Sequence, residues 1–171
     1  ADVSMRPTST SRPSLKADVL IVEDQPVNRE LATAMLHSFG CRVEVAVNGF
    51  AGVQAAAERR FDLILMDCQM AEMDGFEATA AIRHAESRGA LRVPIIALTA
   101  NAMTSDRDRC LAAGMDDYLS KPFNGDALHA ICARWLKRAT APASTPPFPL
   151  ATATTAASAA PAIEEKTLAS I

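Results

Sequence analysis

Aromatic residues are scarce: one Trp, one Tyr and six Phe make up 5% of 171 positions. Any core must therefore be built from Val, Ile, Leu, Met and Ala. Basic charge is not in excess either. Seventeen Lys and Arg stand against 20 Asp and Glu, a formal net charge of −3. That balance argues against a nucleic-acid-binding module, whose electrostatic footprint is basic. No apolar run approaches the roughly 18 residues needed to span a bilayer. Residues 1–16 are polar and lack the apolar stretch of a secretory leader, so the expected location is cytoplasmic. Cys41, Cys68, Cys110 and Cys132 lie far apart along the chain and form no C-x-x-C pair. Neither a zinc site nor a disulfide framework follows from them, and all four are expected as reduced, mostly buried thiols.

What is present divides by composition into a domain with tails. Residues 1–16, rich in Ser, Thr, Pro and Arg, read as a flexible lead-in. Residues 139–162 carry no charge and, apart from Phe148 and Leu150, consist of Ala, Thr, Ser and Pro. Such a stretch buries too little apolar surface to offset its ordering entropy and reads as a linker. Residues 163–171, I-E-E-K-T-L-A-S-I, regain amphipathic character, as the first turns of a helix that is cut off. The expectation is a fragment of a longer chain, with its domain over 17–138.

Within 17–138 the text alternates between strand and helix. Short apolar runs at Val19–Val22, Val43–Val47, Leu63–Met66, Ile95–Leu98 and, weakly, Tyr118–Leu119 have the composition of strands covered on both faces. Helix-like text follows each run. Pro26 suits a first turn, and Val27, Leu31 and Met35 recur at i, i+4, i+8 as a candidate inward stripe. Asn48 can cap a second helix carrying Val53, and Asp74 a third carrying Ile82. A fourth, polar helix is expected around Met103 to Ala113. Asn124 can cap the last, whose stripe is Leu128, Ile131, Cys132, Trp135 and Leu136. Five βα units imply an α/β fold, a doubly wound five-stranded parallel sheet, with ligands beyond the carboxyl ends of its strands.

Those ends carry the chemistry. The first strand ends in Glu23-Asp24 and the third in Asp67, and three carboxylates on one sheet edge repel unless something offsets them. A hard divalent cation such as Mg²⁺ needs only one or two protein carboxylates and keeps several waters. The fourth strand ends in Thr99 with the small Ala100 after it, and the fifth in Lys121-Pro122. A cation and an ammonium flanking one carboxylate are what phosphoryl transfer to that carboxylate requires, since positioning and electrostatics do most of that catalysis.

Four stretches make the pattern specific: V-L-I-V-E-D-Q-P-V-N-R at Val19–Arg29, L-I-L-M-D-C-Q-M-A-E-M-D-G-F-E-A-T at Leu63–Thr79, I-I-A-L-T-A-N-A-M at Ile95–Met103, and A-G-M-D-D-Y-L-S-K-P-F at Ala113–Phe123. In this order and spacing the chain resembles the receiver domains of two-component response regulators, and among them the receivers of hybrid sensor histidine kinases. The resemblance covers about 120 residues and implies a (βα)₅ flavodoxin-like fold.

It implies roles residue by residue. Asp67 would be the phosphoacceptor, taking a phosphoryl group from a phosphohistidine. Glu23, Asp24, Asp67 and the backbone carbonyl of Gln69 would hold Mg²⁺, with Mn²⁺ as a substitute. Lys121 would pair with phosphoryl oxygens. Thr99 would swing towards the phosphate, with Tyr118 following it inward. Gln69 and Asn101 would tune how fast water removes the phosphate, and Ala100 would leave it room to enter. Partners would be a histidine kinase or a histidine phosphotransfer domain, with no direct nucleic acid contact. The domain would be a monomer or weak dimer, would stay out of the membrane, and would signal through Met103 to Arg138. The domain would catalyse only its own phosphorylation and dephosphorylation. The parent chain would be a hybrid kinase, in an inner membrane with this part on the cytoplasmic side, and a phosphotransfer domain could begin near Ile163. One departure is Ala71, where the family usually has Pro, which loosens the loop after the acceptor.

Other classes fit less well. An aspartyl phosphatase of the haloacid-dehalogenase type needs D-x-D after its nucleophile strand, and here Asp67 is followed by Cys68-Gln69. A flavodoxin-like cofactor binder needs a Ser/Thr/Gly-rich phosphate loop where this chain has Glu23-Asp24. A pseudo-receiver would have lost one of the five key residues, and a stand-alone single-domain regulator remains the alternative context. Gly75 reads as a turn-and-cap residue with Asp74, Cys68 as a core thiol, and Trp135 as core. His37, His84 and His129 lack metal spacing.

Overall fold

The computed structural model describes residues 12–101 and 103–140. Five strands and five helices alternate: β1 (Asp18–Val22), α1 (Pro26–Ser38), β2 (Arg42–Ala46), α2 (Gly49–Glu58), β3 (Leu63–Asp67), α3 (Gly75–Glu86), β4 (Ile95–Thr99), α4 (Thr104–Ala112), β5 (Asp117–Ser120) and α5 (Gly125–Thr140). The strands form one parallel sheet in the order β2-β1-β3-β4-β5. The expected doubly wound sheet is thus observed, with strand bounds within a residue or two of the expected runs.

Strand alternation builds two cores. Val19, Ile21, Leu63, Leu65, Ile96 and Leu98 point to one face and meet Leu36 of α1 and Leu128 of α5. Leu20, Val22, Ile64, Met66, Ile95 and Ala97 point to the other and meet Ala55 of α2, Ile82 of α3 and Cys110 of α4. Every residue of β3 and β4 is buried. Burying one such Leu or Ile side chain is worth about 1.5–3 kcal/mol, so these two strands are the fixed floor under the site.

The sequence reading needs correction in several places. The edge strands β2 and β5 are only partly covered, unlike the fully buried strands expected. In α1 the inward stripe is Ala32 and Leu36 with Met35 beside it, whereas Val27 is 76% and Leu31 51% exposed. Helical spacing alone fixes the period of a stripe, not which face meets the sheet. Residues 12–16, expected within a flexible lead-in, are docked: Leu15 N–H donates to Phe39 O at 2.8 Å and Arg12 pairs with Asp126. Trp135 is half-buried rather than core, and its Nε1–H donates to Asp117 at 2.8 Å. The linker and cut-off helix expected over 139–162 and 163–171 lie outside the described residues, apart from the end of α5.

The caps were legible. Asn48 Oδ1 accepts from Ala51 N–H at 2.8 Å, and Asn124 Oδ1 from Ala127 N–H at 2.9 Å. Asp74 and Glu77 form a reciprocal capping box at the start of α3. All four cysteines are free and buried. Folding brings two of them together, with Cys68 Sγ 3.8 Å from Cys110 Sγ. Burial pushes the Cys132 thiol up to about 12 and the Cys68 thiol higher still, so neither ionises readily.

Candidate functional site

Strand order reverses between β1 and β3, and that is where an open parallel sheet leaves a crevice at its carboxyl edge. The ends of β1 and β3 deliver Glu23, Asp24 and Asp67 to this crevice, where one carboxylate oxygen from each lies within 4.8 Å of the others. Among the described residues this is the one such cluster of potential metal ligands. Glu23 and Asp67 are buried, and Asp24 is half-buried.

Lys121 reaches in from the end of β5. Its Nζ lies 2.7 Å from Glu23 Oε2 and 3.1 Å from Asp67 Oδ2. The other Glu23 oxygen accepts from the N–H of Gln25 at 3.2 Å and the side-chain amide of Asn28 at 3.4 Å. Asp67 Oδ1 accepts from Gln69 N–H at 3.1 Å. Asp24 Oδ1 is buried and has no hydrogen-bond partner among the described residues. A buried carboxylate oxygen without a partner is costly, and a cation is the natural way to satisfy it. Three acids around one orphaned oxygen suit Mg²⁺, a hard cation that takes oxygen ligands.

Electrostatics points the same way. Burial pushes the Asp67 carboxyl up to about 6, against the Gln69 N–H and the Lys121 charge, which lower it, and with Glu23, which raises it. Burial works to lower the Lys121 ammonium, but its bond to Glu23 and the charge of Asp67 outweigh it and hold it above its ordinary value. Without a cation the crevice is under-neutralised. A bound divalent ion would favour the ionised Asp67, which is the nucleophilic form.

Thr99 ends β4, one position beyond Leu98, the residue paired with Asp67. Its hydroxyl is engaged by the loop that follows: Oγ1 donates to Asn101 O at 3.0 Å and accepts from Asn101 N–H at 3.2 Å. Tyr118, on β5, is half-buried against the core beside α4 rather than in the crevice. The side chains of Gln69 and Asn101 are exposed at the rim. The structure therefore gathers Glu23, Asp24, Asp67 and Lys121 tightly, while Asn101 holds the Thr99 hydroxyl and Tyr118 packs against the core.

The model of the response regulator receiver domain matches residues 19–133. The chain belongs to that family. The receiver is 43% identical over 118 residues to sensor protein GacS of Pseudomonas syringae pv. syringae, covering 68% of this chain and 13% of GacS. It therefore spans only about an eighth of that relative's length. Among solved structures, it is 48% identical, with a TM-score of 0.66, to the receiver domain of sensor histidine kinase PA1611 from Pseudomonas aeruginosa PAO1, covering 71% of this chain and 98% of that one. That structure holds a magnesium ion in its active-site cleft. The receiver of Ssk1 from Saccharomyces cerevisiae, crystallised with the histidine phosphotransfer protein Ypd1, is 35% identical with a TM-score of 0.66, covering 70% of this chain and 88% of that one. Among the described residues of the receiver, no helix is long and apolar enough to cross a membrane.

Three supporting residues were not assigned chemistry from sequence. Arg29 Nη1 donates to the backbone carbonyls of Glu23 at 3.1 Å and Asp24 at 3.2 Å, clasping the loop that presents both acids. Asn28 steadies Glu23, as above. Gly75 lets α3 begin against the acceptor strand, because a Cβ there would lie 2.1 Å from Asp67 O. All three stand inside the recognised stretches, but nothing in their spacing distinguishes a clasp from a solvated arginine. The loop with Ala71 in the unusual place turns sharply. Met73 N–H donates to Ala71 O at 2.8 Å across Glu72, whose φ is 67°, a γ-turn in its rarer, positive-φ form.

Proposed function

We propose that Asp67 is the phosphoacceptor of this phosphorelay receiver. The observation that carries the reading is the ammonium of Lys121 bridging two of three clustered carboxylates, beside an orphaned Asp24 oxygen. A carboxylate oxygen of Asp67 attacks the phosphorus of a phosphohistidine, the P–N bond breaks, and its electron pair leaves with the imidazole. The product is an acyl phosphate on Asp67.

Glu23, Asp24, Asp67 and the Gln69 carbonyl would hold the cation, Mg²⁺ or Mn²⁺. When bound, the cation neutralises phosphoryl oxygens as charge shifts in the transition state. Lys121 exchanges its contact with Asp67 Oδ2 for a phosphoryl oxygen while keeping Glu23 as its anchor. Arg29 holds the acid loop still, and Gln69 N–H keeps the Asp67 carboxylate oriented.

The acyl phosphate adds charge and strong acceptor oxygens. Thr99 then leaves Asn101 and donates to the phosphate, Tyr118 follows into the vacated space, and the populations of two arrangements of α4, β5 and α5 shift. Gln69 and Asn101, exposed at the rim, set how easily water reaches the phosphorus. Val27 and Leu31, exposed on α1 beside the crevice, offer the apolar footing for a phosphohistidine-bearing helix. The parent would be a hybrid sensor histidine kinase with this domain in the cytoplasm, a reading supported by relatives of that kind, of which the receiver forms a small part.

The test is intact-protein mass after incubation with acetyl phosphate and Mg²⁺. A phosphate-sized gain that needs Mg²⁺, is blocked by EDTA and is lost in Asp67→Asn supports the reading. No gain, either with acetyl phosphate or with a phosphohistidine donor, overturns it.

A further inference from the structure

At the amino ends of the strands, remote from Asp67, a cavity of about 750 Å³ opens between α2 and α3 and the loop entering β4. Its walls are apolar, with Val53, Phe61, Ile64, Ile82 and Val93. Leu91 stands at its mouth, 73% exposed. Five charged residues, Arg59, Arg60, Asp62, Glu86 and Arg92, rim it.

Four of these five are already engaged. Glu86 accepts from Arg83 Nη1 at 2.6 Å and from Val93 N–H at 2.8 Å. Asp62 accepts from Asp18 N–H at 2.9 Å. Arg59 pairs with Asp18 and Glu44, and Arg92 with Asp116. Arg60 is exposed and makes no ion pair among the described residues. The groove is thus greasy inside, with one uncompensated cation at its edge, and it fits an apolar segment carrying an acidic head.

The chain itself supplies one. Residues 163–171 combine Ile163, Leu168 and Ile171 with the acids Glu164 and Glu165, which outnumber the one base, Lys166. The uncharged residues 141–162, 22 in all, connect them to the end of α5. The Trp135–Asp117 bond sets the last turns of α5 beside the first residue of β5, so the tether departs from the end of the sheet where the groove opens. Twenty-two residues reach at most about 75 Å when extended, well beyond the roughly 20–25 Å width of five strands. A connection long enough to span its two sites makes the contact intramolecular and raises the effective concentration of the segment at the groove.

We infer that residues 163–171 dock in cis into the α2–α3 groove, with Ile163, Leu168 and Ile171 on its apolar walls and Glu164 and Glu165 against Arg60. The contact lies at the opposite end of the sheet from the acids and does not rest on the phosphoacceptor reading.

The test uses the full chain and amide NMR. The double substitution Leu168→Asp and Ile171→Asp should shift the amides of Phe61, Leu91 and Val93, leave those of Asp24 and Gln69 in place, and raise hydrogen exchange over 90–93 by about threefold or more. Arg60→Glu, at an exposed position that does not threaten folding, should do the same. Adding Glu164→Arg and Glu165→Arg to Arg60→Glu should restore the original spectrum. Groove amides that ignore all these variants overturn the inference. So do shifts that fade on tenfold dilution, which would assign the groove to a second copy.

Discussion

Lys121 Nζ stands 3.1 Å from Asp67 Oδ2, and the same ammonium is held at 2.7 Å by Glu23. One cation from the end of β5 thus ties together carboxylates from β1 and β3, across a strand that contributes none. The bridge makes an otherwise repulsive crevice tolerable, and it parks a mobile positive charge where phosphoryl oxygens would arrive.

Replacing Lys121 with Ala should therefore slow phosphorylation of Asp67 by about 10²–10³, the range seen when one preorganised charge-stabilising group is removed. Lys121→Arg should not rescue it, because a planar fork cannot occupy the same buried point between two carboxylates. Time courses of the phosphate-sized mass gain at saturating Mg²⁺ measure both. A Lys121→Ala rate within about threefold of the parent would contradict the role.

The raised Asp67 carboxyl makes a signed prediction about stability. In the folded chain it titrates near 6, above its ordinary 3.8. Between these values the folded state binds more protons, so its contribution to stability is greatest below about 4 and is lost as pH rises through 6. At pH 7.5 the parent holds an ionised buried carboxylate that Asp67→Asn lacks. In EDTA the variant should be more stable by about 1–2 kcal/mol, with the gap closing towards pH 4. Saturating Mg²⁺ should shrink or reverse the gap, because ligand binding stabilises only the form that binds it. Urea unfolding at several pH values, with and without Mg²⁺, reads all three effects.

Gly75 should tolerate no side chain. A Cβ would sit 2.1 Å from Asp67 O and 2.9 Å from Asp67 C, both backbone atoms that cannot swing aside. Gly75→Ala must push the start of α3 away from the acceptor strand. The expected cost is about 2–3 kcal/mol, typical of overpacking a fixed site, together with slower phosphorylation. Chemical unfolding and the mass assay measure the two separately, and a fully stable, fully active Gly75→Ala would mean that α3 slides freely.

The legibility of this chain follows what each kind of signal can encode. The strand-end acids, Thr99 and Lys121 were readable because short Val/Ile/Leu runs mark where strands stop, and the chemistry stands at the next residue. Asn48, Asp74 and Asn124 were readable because capping is local. The inward face of α1 was misread, since Val27 and Leu31 share helical spacing with Met35 while the sheet takes Ala32 and Leu36. The approach of Cys110 to Cys68, the clasp of Arg29 on two carbonyls and the docking of Arg12 on Asp126 depend on how elements pack. No local pattern carries such contacts.

That misread face yields the last prediction. Val27 and Leu31 leave apolar surface uncovered on one face of α1, the kind of patch that a partner covers. If they are the footing for a phosphohistidine donor, Leu31→Asp should cut phosphotransfer from a cognate phosphotransfer domain by about tenfold or more, consistent with losing an apolar anchor from a small interface. It should leave phosphorylation by acetyl phosphate, which needs no docking, within about twofold. The split between donors is decisive, because a general defect in folding or in the crevice would lower both rates together. Equal rates with both donors, in the variant and the parent alike, would move the docking face away from α1.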